Sequence, residues 1–288
     1  MTMYNSNIFK NGEAMNTLTV LLENTQAELK SVSVEHGLSL LLRIDDKSFL
    51  FDTGATGIFT GNARLMNVRL DDVDCVVISH SHYDHAGGFA SFAETYRVRE
   101  LVTGPDFFLP KYNFLNGAFT YLGASFDKAL LDRRGIAHRK CDGCLQLSDS
   151  LYAFSGFART YAFETIPERF VKGVAGNTVP DFFDDEVCLV YDGGASLTVI
   201  VGCSHPGILN MTASVAAHFG KPVSAVYGGS HLVEADDERI RKTIEELQKQ
   251  GVRKTGFCHC SGNRVHEILA ETNAVTDCRI ATGSVIVL

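Results

Sequence analysis

The sequence predicts a layered α/β fold, and this prediction rests on three patterns in the chain. Short apolar runs of strand length alternate with helical patterns along most of the 288 residues, which is typical of α/β architecture. Four of these runs end in a small-residue turn that carries a histidine. Ligands of open α/β sheets bind outside the carboxyl ends of the strands, so we expect the four turns to meet at one edge.

The predicted strands follow from the apolar runs in chain order. Three runs open the chain, at 18–22, 38–44 and 49–51, and the third ends at Asp52-Thr53-Gly54. Four strand-and-turn units follow, with strands predicted at 73–78, 197–201, 223–227 and 255–258. Their turns carry, in the same order, the histidines His80, His82 and His85, then His205, His231 and His259.

The clearest helix is predicted at 237–250. Asp236 or Asp237 is a suitable N-cap, and Gly251 a suitable stop. Ile240, Ile244 and Leu247 recur at helical spacing, so they should form the face that packs on the sheet.

Residues 17–288 are predicted to form a single domain, preceded by a polar and flexible leader at 1–16. Residues 104–182 differ from the rest because they are rich in Phe and Tyr and show weak periodicity. We expect them to form an insertion that packs beside the sheet and partly covers the site. The alternative is that they add strands and helices to the core without a role in the site.

The composition excludes several classes of partner. The formal net charge is −8 and no run of Lys or Arg stands out, whereas binding of nucleic acid requires a basic face. No apolar segment approaches the roughly 20 residues that span a bilayer. No secretory signal is predicted in the first residues, so we expect a cytoplasmic protein whose eight cysteines are reduced thiols. The oligomeric state is left open.

The densest chemical signal is the run His80-Ser81-His82-Tyr83-Asp84-His85. Side chains alternate along a strand, so His80 and His82 project to the same side. Asp84 and His85 follow the turn and can face a second ion. Neutral imidazole combined with carboxylate suits zinc or iron, so the run predicts a hydrolytic centre with two metal ions.

The order of these motifs resembles that of the metallo-β-lactamase superfamily. The matching motifs are Asp52-Thr53-Gly54, His80-x-His82-x-Asp84-His85, Gly202-Cys203-Ser204-His205 and a C-terminal His259. A finer set resembles the branch of dihydropterin ribofuranosylaminobenzene-phosphate synthase-like metal-dependent hydrolases: Glu35-His36-Gly37-Leu38-Ser39, Gly229-Ser230-His231-Leu232 and His259-Cys260-Ser261-Gly262. The resemblance implies an αββα sandwich, in which two mixed sheets face each other and the helices lie outside.

The resemblance also implies the roles of the site residues. One ion would be held by His80, His82 and His205. The second would be held by Asp84, His85 and His259. Asp52 would orient the histidine loop through hydrogen bonds. The implied cofactors are two divalent metal ions, with zinc first and manganese or iron as alternatives.

The chain departs from the superfamily pattern at one position. Many superfamily hydrolases bridge the two ions with an Asp, but the corresponding region here reads Tyr227-Gly228-Gly229-Ser230-His231 and has no carboxylate at the strand end. The sequence leaves three possibilities open: the bridge is missing, is supplied by water alone, or is replaced by His231. The cysteines Cys203, Cys258 and Cys260, which flank the histidines, are expected to be small buried apolar side chains.

The remaining site residues are assigned by their chemistry. Zinc-like ions lower the pKa of bound water to about 7, which makes hydroxide available at neutral pH. Asp84 would orient this nucleophile or carry its proton. His231 and His36 are candidates for donating to a leaving group or binding an anionic substrate. Ser261 and Asn263 open a helical pattern, and the free N–H groups of a helix start favour phosphate.

These observations predict a metal-dependent hydrolase that uses a metal-bound hydroxide on a small phosphoester or a related small anionic substrate. A second interpretation keeps the metals and changes the bond to a lactone, thioester or β-lactam. A third is a synthase-like enzyme that handles a phosphorylated pterin precursor. The last is a non-catalytic ligand-binding protein with one metal.

Overall fold

The computed structural model describes residues 9–10, 13–174 and 177–288. Most of the predicted leader at 1–16 lies outside the described residues, and within it Phe9–Lys10 pairs antiparallel with Glu13–Ala14. The strands are β1 Phe9–Lys10, β2 Glu13–Ala14, β3 Thr17–Leu22, β4 Ser39–Ile44, β5 Lys47–Phe51, β6 Cys75–Val77, β7 Glu100–Thr103, β8 Lys111–Leu115, β9 Ala118–Tyr121, β10 Ala137–Lys140, β11 Cys144–Gln146, β12 Leu151–Phe154, β13 Phe170–Val174, β14 Asn177–Pro180, β15 Cys188–Asp192, β16 Leu197–Val201, β17 Val223–Gly229, β18 Lys254–Cys258, β19 Thr276–Asp277 and β20 Val285–Val287. The helices are α1 Phe59–Leu65, α2 Tyr83–Ala86, α3 Phe89–Thr95, α4 Lys128–Arg134, α5 Ile208–Phe219, α6 Asp237–Lys249 and α7 Arg264–Thr272.

Two seven-stranded mixed sheets form the centre of the fold. The first has the order β10-β7-β6-β5-β4-β3-β20, and the second has the order β11-β12-β15-β16-β17-β18-β19. In the first sheet β5, β6, β7 and β10 are parallel. In the second sheet β16 to β19 are parallel. The parallel strands of each sheet therefore have their carboxyl ends on one edge.

Three hydrophobic clusters place the sheets and helices in layers. One cluster contains side chains of both sheets, among them Phe51 and Ile200, so the sheets face each other. A second packs α1, α3 and α4 on the outer face of the first sheet. The third packs α5, α6 and α7 on the outer face of the second sheet. The predicted αββα sandwich is confirmed.

The predicted elements agree with the structure where the sequence pattern is strong. The strand predicted at 197–201 is β16, Leu197–Val201. The helix predicted at 237–250 is α6, whose N-cap Asp236 accepts a hydrogen bond from the Arg239 N–H at 2.8 Å. The strand predicted at 73–78 is shorter, Cys75–Val77. Local propensity and capping therefore determine element type well and element ends less well.

The strands of the predicted insertion at 104–182 belong partly to the two large sheets and partly to a separate small sheet. Its β10 extends the first sheet, and its β11 and β12 belong to the second, so this part is core and not insertion. The strands β8, β9, β13 and β14 form a separate four-stranded antiparallel sheet. The ring of Phe170 in β13 lies 5.6 Å from that of His82, so this small sheet covers the histidines.

Helix α5 begins with an unusual cap. Its N-terminal N–H groups, those of Leu209 and Asn210, donate to the carboxylate of Glu164 at 2.9 and 2.8 Å. Glu164 is buried and lies more than 40 positions before the helix in the sequence. Its carboxylate accepts hydrogen bonds from N–H groups of the first turn that have no partner within the helix. The preceding Gly207 has a φ of 99°, and a Cβ there would lie 2.2 Å from Glu164 Oε2. Gly207 thus leaves room for the remote cap.

Replacing Gly207 with alanine should therefore destabilise the fold by about 3 kcal/mol, because backbone strain adds to loss of the Glu164 cap. Gly220→Ala is the matched control, since Gly220 also has a positive φ but open space around its Cα. It should cost only about 1 kcal/mol. Urea denaturation measures both values, and equal losses would show that the cap contributes nothing.

The helices in the described ranges lack the length and apolar character that a membrane crossing requires.

Candidate metal centre

The structure brings the four histidine-bearing turns together at the carboxyl ends of β6, β16, β17 and β18. The ring of His205 lies 4.9 Å from that of His80 and 4.3 Å from that of His231. The ring of His85 lies 4.9 Å from that of His259. Histidines from both sheets thus form one cluster at the edge where parallel strands end.

Three histidines of the cluster have ring nitrogens without a partner. Within the described residues, His80 Nε2, His82 Nε2 and both ring nitrogens of His205 are buried and accept or donate no hydrogen bond. Buried polar atoms in proteins are normally paired. Unpaired imidazole nitrogens that converge on one region are suited to a cation.

A second group surrounds Asp84. Its Oδ2 lies 3.3 Å from His259 Nε2 and 3.8 Å from His85 Nε2. The two Nε2 atoms are themselves 3.1 Å apart. In a tetrahedral zinc site with bonds of about 2.0–2.1 Å, neighbouring ligand atoms are about 3.3 Å apart. The spacing of Asp84, His85 and His259 therefore fits one divalent ion.

Cys203 lies between the two groups. Its Sγ is 3.2 Å from His85 Nε2. Its Sγ lies within 4.8 Å of ligand atoms of His80 and His205 on one side and of His85 and His259 on the other. His82 does not join His80 and His205 in a group as tight as this among the described residues, although its ring is 4.7 Å from that of His80.

Asp52 connects the two groups through hydrogen bonds. Its Oδ2 accepts from His85 Nδ1 at 2.6 Å and from Ser79 Oγ at 2.8 Å. Because the Ser79 hydroxyl donates to Asp52, its Oγ accepts the hydrogen bond from the Nδ1–H of His80 at 3.0 Å. The network assigns the Nδ1–H tautomer to both histidines, which leaves each Nε2 free to bind a metal. The predicted orienting position of Asp52 matches this geometry.

Replacing Asp52 with asparagine should lower affinity for divalent metal by about 10- to 100-fold, because the amide cannot accept all of these bonds. Asp45→Asn is the matched control. Asp45 also has a positive φ and accepts hydrogen bonds from serines, those of Ser148 and Ser150. Titration of metal-free protein with zinc measures both variants. Unchanged affinity in Asp52→Asn would refute the orienting role.

Burial and neighbouring charges determine the protonation of the cluster. Burial lowers the pKa of His80, His82 and His205 well below the usual range, so these rings are neutral at pH 7. Burial alone would raise the pKa of Asp84, but His85 and the hydrogen bonds from His259 and His36 hold it well below its usual range. Burial opposes protonation of His85, whereas Asp52 and Asp84 raise its pKa to about 9. A metal ion would replace that proton.

The other predicted site residues are placed as follows. His36 is exposed, and its Nε2 lies 3.2 Å from Asp84 Oδ2. His231 is close to His205, and burial lowers its pKa to about 4, so its ring is neutral at pH 7. Asn263 is exposed and accepts from Arg279. Ser261 is buried, and its Oγ accepts from the Ser230 N–H, so it shapes the turn and does not face solvent.

Several contacts to the cluster were missed by sequence reasoning. Asp185 and Glu186, which precede β15, accept from the Ser81 N–H at 3.1 Å and the Ser204 N–H at 2.7 Å. Asn24 Oδ1 lies 3.0 Å from His259 Nδ1. Phe183 stacks on His205 with ring centroids 3.7 Å apart. The one available signal was a pair of acidic residues directly before an apolar strand.

A cavity of 320 Å³ borders His259. Its lining residues are Glu23, Asn24, Thr25, Val233, Cys258, His259, Gly262, Asn263, His266, Arg279 and Ile280. The exposed Arg279 at its rim carries a positive charge beside the start of α7. The cavity therefore offers an anion one cation, the guanidinium of Arg279.

An αββα sandwich with imidazoles and a carboxylate at the strand ends defines a class of metal-binding proteins. The chain belongs to the metallo-β-lactamase superfamily, whose family model matches residues 32–197. Members of this superfamily typically bind divalent metals and are usually metal-dependent hydrolases. The predicted family is confirmed.

Comparison with known proteins gives relatives along nearly the whole chain. The chain is 30% identical over 267 residues to 7,8-dihydropterin-6-methyl-4-(beta-D-ribofuranosyl)-aminobenzene-5'-phosphate synthase of Methanocaldococcus jannaschii, covering 88% of the chain and 90% of the relative. It is 29% identical to an uncharacterized protein of the same organism, covering 89% and 94%. It is also similar to a crystal structure described as a metal-dependent hydrolase of the β-lactamase superfamily, with a TM-score of 0.81, 26% identity and coverage of 95% and 99%.

Proposed function

We propose that the protein is a metal-dependent hydrolase of a small anionic substrate, with phosphoesters as the first candidates. The observation that carries this proposal is the convergence of the Nε2 atoms of His85 and His259 on Asp84 Oδ2 at 3.3–3.8 Å. Two imidazoles and an ionised carboxylate at this spacing are suited to a divalent ion, which would displace the proton of His85. Membership of the superfamily supports the same reaction class.

The ligands divide between two ion positions. His80, His82 and His205 would hold one ion, and Asp84, His85 and His259 would hold the second. Bound divalent ions supply two things in such sites: they lower the pKa of water to about 7 and stabilise negative charge on substrate oxygens. Zinc is the first candidate because the ligands are mostly imidazoles.

The protein's own groups then control the proton and the leaving group. Asp84 stays ionised, since its pKa is held well below the usual range, so it can accept a hydrogen bond from water and orient it. The exposed His36 contacts the same carboxylate at 3.2 Å and can pass a proton to solvent. His231 is neutral at pH 7, so it would act as a neutral hydrogen-bond donor to the substrate.

The cavity beside His259 is the proposed position for the anionic part of the substrate. Arg279 and Asn263 line this cavity, and Arg279 donates a hydrogen bond to Asn263 Oδ1. Because the chain as a whole is acidic, this local cation matters for binding an anion. The small sheet over His82 and His205 would exclude water from the opposite side.

Metal content per chain, measured by elemental mass spectrometry beside hydrolysis assays, tests the proposal. We expect close to two metals per chain and turnover of a phosphomonoester or phosphodiester probe. Turnover of only lactone, thioester or β-lactam probes would show that the protein is a hydrolase but that the bond it cleaves is not a phosphoester. One metal or none, without turnover after addition of zinc, manganese or iron, would refute the hydrolase and favour a ligand-binding role.

A second candidate is a synthase-like reaction on a phosphorylated pterin precursor. The specific observation in its favour is the 30% identity to 7,8-dihydropterin-6-methyl-4-(beta-D-ribofuranosyl)-aminobenzene-5'-phosphate synthase across 88% of the chain. Incubation of the metal-loaded protein with a phosphorylated reduced pterin and a phosphoribosyl aromatic amine, followed by mass spectrometry, would detect a condensation product and the phosphate group released from the pterin. Hydrolysis of the generic phosphoester without condensation would reject this candidate.

The setting proposed for this reaction is the cytoplasm. The eight cysteines are free in the structure, which suits a reducing compartment. The proposed partner is a small-molecule anion, and the acidic net charge argues against nucleic acid. After cell fractionation, recovery of the native protein together with soluble cytoplasmic markers would support this location. Recovery in the periplasmic extract would overturn it.

A further inference from the structure

We infer that Cys203 is a thiolate ligand between the two ion positions and takes the bridging role for which the chain has no aspartate. This inference rests on the proposed metal centre and adds a ligand to it. It replaces the expectation that Cys203 is only a small apolar side chain. It also decides among the possibilities left open for the bridge, since neither water alone nor His231 is then required.

The position of the thiol carries the argument. Cys203 belongs to both groups of converging ligand atoms, one with His80 and His205 and the other with His85 and His259. In each group all ligand atoms lie within 4.8 Å of one another. Among the eight cysteines, Cys203 is the one that these groups contain in the described part of the chain. A single atom shared by two ligand groups is the geometry of a bridging ligand.

The ring nitrogens around the thiol give independent support. His205 is 6% exposed and His80 is fully buried. In the described ranges, Nε2 of His80 and both ring nitrogens of His205 have no hydrogen-bond partner. The Cys203 thiol supplies no strong acceptor for an imidazole N–H. A cation beside the sulfur would provide Nε2 of His80 and one ring nitrogen of His205 with a partner.

The backbone holds Cys203 in this position. The following residue, Ser204, has a φ of 61°, and its N–H donates to Glu186 at 2.7 Å. Its hydroxyl donates to the Gly229 carbonyl at 2.7 Å. These bonds attach the turn to two neighbouring segments of the sheet. The sulfur is therefore placed in advance between the two groups, and the chain does not have to rearrange to bind metal.

A thiolate bridge has consequences for the choice of metal. Thiolate is a soft ligand that selects zinc or iron, whereas manganese and magnesium favour carboxylate and water oxygens. With Cys203 at the bridge, the centre should bind zinc and iron and discriminate against manganese. The positive charge of the ions converts the thiol into the thiolate, with release of a proton.

Cobalt titration tests this inference without relying on turnover. Full-length protein is stripped with a chelator and titrated with Co²⁺, while near-ultraviolet absorbance records thiolate-to-cobalt charge transfer and visible absorbance records total binding. We expect the charge-transfer band in the wild type and its loss in Cys203→Ser, which is nearly isosteric. The affinity for the second ion should fall by at least about 10-fold.

Two further cysteine variants complete the design. Cys188→Ser is the matched control, because Cys188 is fully buried in β15 and belongs to neither ligand group. The charge-transfer band of this variant should equal that of the wild type. Cys260→Ser addresses the neighbouring thiol, whose Sγ accepts from the His231 N–H. Circular dichroism verifies the fold, and Cys203→Ala replaces Cys203→Ser if the hydroxyl prevents folding.

The outcomes separate this inference from the proposed function. A charge-transfer band that persists in Cys203→Ser, or that disappears only in Cys260→Ser, would overturn the role of Cys203 and leave the metal centre intact. Failure of the wild type to bind cobalt at all would overturn the metal centre itself and, with it, the hydrolase. Loss of the band in Cys203→Ser alone would establish the thiolate.

Discussion

Replacing Asp84 with alanine should reduce kcat on the phosphoester probe by at least about 100-fold. The Asp84 carboxylate lies within 4 Å of three imidazoles, those of His36, His85 and His259. Its removal takes away a metal ligand and the acceptor that orients water. We expect a parallel fall in bound metal, measured by elemental analysis of the same samples.

The fold should survive this change. Asp84 lies in the short helix α2 at the cluster and not in any of the three hydrophobic clusters. Asp132→Ala is the matched control, since Asp132 is an exposed helical aspartate outside the site, and it should retain full activity. His82→Ala should likewise abolish turnover. Wild-type activity in Asp84→Ala would disprove the hydrolytic mechanism.

Replacing Lys111 with methionine should destabilise the protein by about 3–5 kcal/mol. The Lys111 ammonium is buried, 2.9 Å from Asp181 Oδ2 and 2.6 Å from Asp185 Oδ1. Without it, two buried carboxylates lose their counter-charge. Denaturant unfolding near pH 7 measures the effect. Because Asp185 also accepts the Ser81 N–H, the variant should lose metal affinity as well.

The loss of stability should depend on pH in a defined direction. Burial already raises the pKa of Asp185 above its usual value, and removal of Lys111 raises it further. A carboxyl group whose folded-state pKa exceeds its unfolded value favours the folded state at low pH, and this contribution is lost as the pH rises. The deficit of Lys111→Met relative to wild type should therefore be larger at about pH 8 than at about pH 5.

Lys172→Met is the control for the lysine substitution. Lys172 lies in β13 and pairs with the exposed Asp184 at 3.0 Å. Surface ion pairs contribute about 0–1 kcal/mol, so this variant should unfold close to wild type with no added pH dependence. If both lysine variants lost the same stability, the buried position of Lys111 would have no special importance.

Much of the candidate site is predictable from short stretches of sequence. The run from His80 to His85 and the turns at His205 and His259 each follow a strand that is recognisable by itself. Parallel strands of one sheet end at one edge, so local patterns place the turns of each sheet at its own edge. The two sheets have to pack together before the histidines of one sheet meet those of the other. The Asp52 turn and the cap of α6 are equally local. The αββα order needed the family resemblance in addition.

The division of residues 104–182 was not predictable in the same way. The aromatic residues of β8 and β9 and those of the core strands look alike in sequence. Whether a Phe packs under a sheet or over a metal centre depends on which strand it pairs with. Pairing of β10 with β7, and of β12 with β15, is decided by the completed sandwich. Weak periodicity therefore gave the wrong boundary for the insertion.

The sequence by itself determined the fold class, the histidine-bearing turns and the family, because each depends on residues a few positions apart. The tertiary structure decided the contacts that convert those turns into one centre. Cys203 and His85 are 118 positions apart, and Lys111 and Asp185 are 74 apart. Neither pair follows a helical or strand period. Side chains so distant in sequence meet only when the two sheets close on their shared core, since burial and not local spacing selects their partners.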